Sequence, residues 1–591
     1  MKRETKQCQN CKASFQIEPE DFKFYEKMQV PPPTFCYECR LQRRLAWRNE
    51  RALYSRKCDL CKKDIIAMYP EGTPFPVYCR SCWYSDKWDA LSYGMDYNFK
   101  KNFFVQFKEL QNVVPRINLM VDNSINCEYT NQIANCKNCY LITSGSDNED
   151  SMYTFRILYS KNVVDGYLML KNELCYECIE CMEVSRLKFV EDSSNSLDLG
   201  FCHDVRGSNN CFMSSNLRNA SYIFENKRYS KREFDELMSK IDTGSYKNIQ
   251  AYKKTFEEMK RKSIRKFMNS KNTINSVGQS INFAKNCYHC FNVANVENLR
   301  YALFVNDTKD SMDINNGISM ELFYEVCTAG INASNVKFSV DAWPEVRNLE
   351  YCDSGRHGSH DLFGCIGLQK KQYCIFNKQY SKKEYDSIVL KIKKHMDEMP
   401  YIDTKSRIYK YGEFFPAELS PFPYNDSVAQ DVYPLEKVQV VERGYHWRDV
   451  DKKEYPSALK SADLPDHINE VKDDILNAII ECAHRKECNE RCTSAFRIIP
   501  MELEFYRTMR IPLPRLCPNC RHYQRIKQRN PLKLWHRKCM CQGAKSENQI
   551  YTNTIKHEHS ADDCPNEFET TYAPERPEIV YCGKCYLKEV V

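Results

Sequence analysis

One cysteine-bearing module stands twice in this chain, and any fold proposed for it has to accommodate both copies. Cys11, Phe15, Pro19, Phe24, Tyr25, Met28, Pro31, Pro33, Cys36, Cys39, Arg40, Arg44, Arg48, Asn49, Leu53, Arg56, Lys57 and Cys58 recur 481 residues later as Cys492, Phe496, Pro500, Phe505, Tyr506, Met509, Pro512, Pro514, Cys517, Cys520, Arg521, Arg525, Arg529, Asn530, Leu534, Arg537, Lys538 and Cys539. No gap interrupts the match. A repeat of this kind marks a folding unit used twice, and it must be found before the rest is read.

Ligand chemistry says what the unit is. Cys8-x2-Cys11 with Cys36-x2-Cys39, and Cys58-x2-Cys61 with Cys79-x2-Cys82, are thiolate pairs of the kind that close a tetrahedral four-cysteine zinc site. The C-terminal counterparts are Cys488-x3-Cys492 with Cys517-x2-Cys520, and a last set ending in Cys564 and Cys582-x2-Cys585. Seventeen residues separate Cys61 from Cys79 and also Cys564 from Cys582. In the last set the first pair is split: Cys539 and Cys541 precede an insertion carrying His557 and His559. Its fourth ligand stays open between Cys539, Cys541 and His559. Short pairs repeated this way are metal clips rather than a disulfide framework, so about four Zn2+ ions are expected, as structural metal.

At 591 residues and 42% hydrophobic content the chain has material for several cores. Thirty-two cysteines in so long a chain, with no apolar signal core after MKRETKQC, point to a reduced cytoplasmic protein. No run approaches the ~20 apolar residues needed to span a bilayer. The net charge is only +7, yet residues 40–57 hold seven Arg or Lys against one Glu, and residues 521–538 hold seven against none. Basic charge is concentrated in the repeated module.

Between the fingers lies a second duplication. Asn135-Cys136, Cys139, Tyr222 and the run Asn226 to Phe234 fall on Asn286-Cys287, Cys290, Tyr373 and Asn377 to Tyr385 at an offset of 151. Within each copy, short β-prone pieces introduced by Asn, Ser or Gly recur at intervals of about 13 to 25 residues, the pattern of a parallel β-helix or related β-solenoid. Asn suits left-handed turns, while Cys, Val, Leu and Ile suit an inner ladder. Each copy ends in a predicted helix, opened by Ser230 with Glu233 or Ser381 with Glu384 as a capping box. The expected order is zinc finger 1 (1–57), finger 2 (58–100), solenoid unit 1 with capping helix (115–241), a helical linker (242–275), solenoid unit 2 with capping helix (276–393), a Pro- and aromatic-rich strap (394–466), helix and finger 3 (467–538) and finger 4 (539–591). The fold class is multidomain and mainly β, with tandem treble-clef or zinc-ribbon fingers flanking two duplicated solenoid units.

Three further features bear on function. Arg40, Arg44 and Arg48, and Arg521, Arg525 and Arg529, recur every fourth residue after a knuckle, which stacks three guanidinium groups on one helix face. Such a face suits the phosphate backbone of a nucleic acid; the plainer reading is a solvated or packed face. Cys127, Cys136, Cys139, Cys175, Cys178, Cys181, Cys202 and Cys211 admit two more metal sites, with His203 in support, but small thiols filling a narrow solenoid explain them more simply. Asp147, Glu149, Asp150, Asp307 and Asp310 would serve a carbohydrate-active β-helix, yet they sit in polar turns where solvated acids are the default. No phosphate-binding Gly loop, GxSxG or HExxH pattern is present.

The pattern Cys-x2-Cys-x3-Phe, then Phe-Tyr, then Pro-x2-Cys-x2-Cys-Arg (Cys8 to Arg40) resembles the "probable zinc-ribbon" family of short bacterial domains, and its second copy runs from Cys488 to Arg521. The tail from Cys564 to Cys585 resembles a finger of uncharacterised multi-zinc proteins of candidate-phyla bacteria. The resemblance covers about 180 residues, and it implies zinc and a bacterial cytoplasm but no activity. The function expected from the sequence is a non-enzymatic zinc scaffold that binds RNA or a ribonucleoprotein through the arginine-bearing helices, without membrane or small-molecule cofactor. A protein–protein assembly factor is the alternative, and a β-helix carbohydrate enzyme the second.

Overall fold

In the computed structural model, which describes residues 2–449, 458–485, 487–488, 490–559 and 562–591, the two central stretches are wound in threes. Two extended residues are followed by one left-handed residue, so positive φ recurs at Gln132, Asn135, Asn138, Leu141 and Ser144 in the first stretch and at Phe283, Asn286, His289, Asn292 and Asn295 in the second. Each left-handed residue turns a corner. Four such sides close one turn of 12 residues, the spacing that separates Asn126 from the Asn138 side chain it bonds. Successive turns pair in parallel, with Lys137 opposite Ile125 and Thr143 opposite Asn131. The result is a 12-stranded sheet in unit 1 and an 8-stranded sheet in unit 2. In unit 2 the segment Tyr288–Lys337 runs through successive turns as one extended element.

Left-handed conformation costs most L-residues about 1–2 kcal/mol, and side-chain ladders along the corners offset it. Asn126 donates to Asn138, which donates to Asp150, and Asn275, Asn286, Asn298 and Asp310 form the matching column. The residue after each corner points inward and is small or aliphatic: Ile133, Cys136, Cys139 and Ile142 are all buried. Cysteine suits this bore because its thiol donates locally, Cys136 Sγ to the Ala134 carbonyl and Cys139 Sγ to that of Lys137, each at 3.3 Å. The middle cysteines are core side chains.

Each solenoid ends in an antiparallel hairpin, Ser221–Phe224 with Lys227–Arg228 and Gln372–Ile375 with Lys378–Gln379. The expected capping helices follow, Lys231–Met238 and Lys382–Glu398, both with the Ser/Glu capping box. Phe234 and Tyr385 meet Tyr222 and Tyr373 of the final turns. The chain is thus mainly β and multidomain, with cysteine clusters near both ends and two helix-capped solenoids between them.

Four expectations change. The period is 12 residues, with turns of 11 and 13 in unit 2, rather than a looser 13 to 25. The helix Tyr246–Lys262 is not a free linker: Phe256 packs on Phe201 of unit 1, and Lys253 and Lys260 bind Glu177 and Glu191. Unit 2 begins earlier than residue 276, since Ser270–Ile274 already belongs to its ladder. Ahead of finger 3, Ile468–Glu470 and Asp473–Asn477 are 3-10 turns. The strap is ordered where it is described, with Phe415 stacked on Trp47 at 4.7 Å; its residues 450–457 lie outside the described residues.

The fingers cross-brace the solenoids. Finger 2 caps the start of unit 1, its strand Val77–Tyr78 lying parallel to Arg116–Ile117. Finger 4, from the far end of the chain, caps the start of unit 2 in the same way, with Ile579–Tyr581 parallel to Ile264–Lys266. Finger 1 docks on the flank of unit 2 and finger 3 on the flank of unit 1, as the ion pairs described below define. Two like halves, each a pair of fingers and a solenoid, therefore embrace within one chain.

Candidate metal centres and the arginine interface

Each finger is a short antiparallel hairpin whose connection carries the first two thiols of its quartet, followed by a helix that carries the other two. The hairpins are Glu4–Gln7 with Ser14–Ile17, Tyr54–Lys57 with Asp64–Ala67, Ile480–Glu481 with Ala495–Phe496, and Trp535–Lys538 with Glu567–Thr570. The third cysteine is always the N-cap residue of its helix: Cys36, Cys79, Cys517 and Cys582. The backbone N–H of that residue donates to the first thiol, from Cys36 to Cys8, Cys79 to Cys58, Cys517 to Cys482 and Cys582 to Cys539, at 3.1 to 3.3 Å. Such bonds favour thiolate.

Four quartets result: Cys8, Cys11, Cys36 and Cys39; Cys58, Cys61, Cys79 and Cys82; Cys482, Cys492, Cys517 and Cys520; and Cys539, Cys564, Cys582 and Cys585. All ligand atoms within a set lie within 4.8 Å of one another. Four thiolates placed tetrahedrally about 2.3 Å from a zinc ion stand about 3.8 Å apart. The observed separations match: 3.6 Å for Cys11 and Cys36, 3.8 Å for Cys61 and Cys79, 3.8 Å for Cys482 and Cys520, and 3.7 Å for Cys564 and Cys585. These residues fit zinc, and all four positions of each set come from protein.

One ligand assignment moves, and one open choice is resolved. In the third set Cys482 replaces Cys488 as the partner of Cys492. The Cys482 amide bonds the Ser494 carbonyl as the Cys8 amide bonds that of Ala13, so the knuckle has been lengthened rather than lost. Spacing alone favoured Cys488, because it copies the short interval of the other knuckles. Cys488 Sγ remains close, 3.8 Å from Cys520 Sγ. In the fourth set Cys539 takes the place of Cys58, and Cys541 belongs to a second group with His557, His559 and Cys585.

The arginine stripes face inward, which corrects their reading as phosphate contacts. Arg40, Arg44, Arg48, Arg521 and Arg525 are buried, and Arg529 is half-buried. Asp313 of unit 2 holds Arg40 at 2.8 Å and Arg44 at 3.2 Å, and Glu325 holds Arg44 at 3.0 Å. Asp165, at the matching position of unit 1, holds Arg521 at 2.9 Å and Arg525 at 2.7 Å. Arg48 pairs with Glu50 and Thr328, while Arg529 bonds Tyr167 and the Asp431 carbonyl. The guanidinium groups of Arg40 and Arg521 also lie over the rings of Tyr301 and Tyr153. Burial opposes these charges, but Asp313 and Asp165 hold both guanidinium pKa values well above their usual range. A planar fork fits such double carboxylate contacts, and a stripe so engaged has no face left for a phosphate.

The acids suggested for carbohydrate chemistry end or bridge ladders. Asp147, Asp150, Asp307 and Asp310 accept amides from Asn135, Asn138, Asn295 and Asn298, and Glu149 bridges Lys137 and Lys161. Among the described residues no helix is long and apolar enough to cross a membrane. No family model matches the sequence, and no curated protein is similar to it. The resemblance to zinc-ribbon domains therefore rests on the quartets themselves, which are compatible with it.

Proposed function

We propose that this chain is a non-enzymatic, zinc-braced scaffold for protein assembly, in which the fingers are internal clamps and the solenoid faces are presented to a partner. The observation that carries this reading is the burial of the finger arginines on Asp165 and Asp313. Residues spent on holding two solenoids together support a platform rather than a pair of grasping tips. The faces left outside are regular, with alternating columns such as Lys137, Glu149 and Lys161, or Lys285 and Glu297. Exposed apolar residues stand beside them: Ile125 at 71%, Tyr159 at 58% and Ile274 at 65%. Mixed charge with scattered apolar anchors suits polypeptide better than a polyanion.

RNA or a ribonucleoprotein, the partner first expected, is the competing outcome. Affinity purification of the full chain from native lysate, with and without nuclease, separates the two. A protein partner retained after nuclease supports the scaffold. A partner lost with the nucleic acid, and with steep salt dependence, overturns it in favour of RNA.

A further inference from the structure

We propose that the last finger holds two metal ions, not one, with Cys585 bridging them. The first ion takes the quartet of Cys539, Cys564, Cys582 and Cys585. The second takes Cys541, His557, His559 and Cys585, whose ligand atoms also lie within 4.8 Å of one another. This goes beyond the scaffold reading, which needs only one closed site per finger.

The imidazoles carry the argument. His557 is buried, its Nε2 lies 2.9 Å from Glu589 Oε1, and its Nδ1 is buried without any hydrogen-bond partner. Glu589 is itself buried and also accepts from Tyr551 and the Thr554 amide, so it acts as an acceptor and fixes the His557 proton on Nε2. The lone pair of Nδ1 then faces the site. His559 is fixed the other way round: its Nδ1 donates to the Asp562 carbonyl at 2.6 Å, which leaves Nε2 bare, 3.5 Å from Cys585 Sγ. A carboxylate or carbonyl holding the far ring nitrogen is the usual arrangement behind a metal-bound histidine. Cys541 is buried and receives the Asn553 amide at 3.2 Å, as a thiolate would.

Two thiolates and two imidazoles form a tetrahedral, borderline-soft set that selects Zn2+ among common divalent ions. Sharing one thiolate leaves five sulfur anions to two dications, so neither ion needs a further ligand. The second ion would tie the insertion between Cys541 and Cys564, which finger 2 lacks, to the helix Gly583–Val590. The same helix places Tyr586 on Asp204 and Arg218 of unit 1, so the bridge also braces the contact between halves.

Metal analysis of the purified full chain tests this. Five zinc equivalents are expected in the wild type and four in His557→Ala, with folding followed by circular dichroism. Four equivalents in the wild type, or five that His557→Ala leaves unchanged, overturn the proposal. Should that variant not fold, cadmium-113 NMR of cadmium-loaded wild type decides. A mixed sulfur–nitrogen resonance coupled to an all-sulfur one through the shared thiolate supports the bridge, and all-sulfur resonances alone refute it.

Discussion

Arg156 lies over the ring of Phe304, with its guanidinium carbon 3.8 Å from the ring centroid, and the two residues stand at matching positions of the two solenoids. The interval that separates them also separates Tyr153 from Tyr301, Asp165 from Asp313 and Tyr176 from Tyr324. A contact between a residue and its own counterpart is what a two-fold relation produces at its axis. Away from the axis, contacts come in reciprocal pairs. Arg116, at the start of unit 1, binds Asp353 of unit 2 at 2.6 Å, and Arg265, at the start of unit 2, meets His203 of unit 1 at 3.3 Å. The chain is built as a fused pseudo-dimer.

The axial contact has a measurable strength. A desolvated cation over an aromatic ring contributes about 2 kcal/mol, and Arg156 also reaches Glu50 at 3.2 Å. Arg156→Ala is expected to lower stability by about 2 kcal/mol, and Phe304→Leu by less. A double-mutant cycle read by denaturant midpoints should show the two substitutions coupled; additivity would remove the axial role.

The reciprocal clamps predict matched losses. Asp165→Ala and Asp313→Ala each remove a carboxylate shared by two buried guanidinium groups, and breaking a buried pair costs about 3–5 kcal/mol. Lys137→Ala, on an exposed column at 61% side-chain exposure, should fall within about 0.5 kcal/mol of wild type. Denaturant unfolding of the three variants checks this. Equal and small effects would mean that the fingers are not clamped through these acids.

The fingers were legible because metal chemistry fixes spacing, and the hairpin-and-helix order follows from Cys8 to Cys39 alone. Cys482 was hidden because nine residues separate it from Cys492, so the repeat broke where the knuckle lengthened. The destination of the arginines was hidden for another reason. An i, i+4 stripe looks the same whether it meets phosphate or carboxylate, and Asp165 and Asp313 sit in turns that read as solvated. The solenoid itself was legible as a class but not in its period. Corners are taken by Asn, Asp, Tyr, Leu and Phe alike, so no residue type announces them; the usable signal was a small or aliphatic residue at every third position, as in Cys175, Cys178, Cys181, Val184 and Leu187. Three-residue sides also explain why an offset of 151 sets Cys287 against Cys136, one side out of register. Counting corners through the shorter first turn of unit 2 sets Cys287 opposite Cys139 instead.

The short turn depends on one glycine. Gly278 has φ of +159°, and a Cβ there would stand 1.8 Å from the Cys290 carbonyl oxygen of the next turn. The backbone cannot yield without breaking the ladder, so Gly278→Ala is expected to cost several kcal/mol, more than the roughly 1 kcal/mol at which conformational strain alone is set. Gly72, with φ of +81° and nothing within 4 Å of its would-be Cβ, is the control, and Gly72→Ala should lose only that conformational part. Thermal unfolding of the two variants side by side checks the difference.

Removal of metal should release the embrace rather than dissolve the chain at once. The quartets place the helix N-termini that aim Arg40 and Arg521 at their acids, so metal binding is coupled to docking as well as to folding of each finger. Chelation under reducing conditions is expected to expose residues 1–60 and 480–591 to protease first, while solenoid fragments persist, and added Zn2+ should restore protection. Simultaneous loss of all regions would show that the solenoids have no stability of their own.

Glu180 supplies a pH dependence of known sign. It lines a cavity of about 360 Å³ where the two solenoid units, the helix Tyr246–Lys262 and fingers 3 and 4 meet. Burial, reinforced by Asp192 and Glu191 and only partly offset by Arg529, raises its pKa to about 7. A carboxyl group with a raised folded pKa binds its proton more tightly in the native state, so between its unfolded value and about pH 7 the native state gains stability as pH falls. Wild type should therefore lose part of its stability on going from pH 5 to pH 8. In Glu180→Gln, which cannot ionise, that part of the loss should vanish while the contribution of the other groups remains. Unfolding midpoints of both proteins across this range decide it, and parallel pH profiles would mean that Glu180 is solvated and titrates as an ordinary carboxylate.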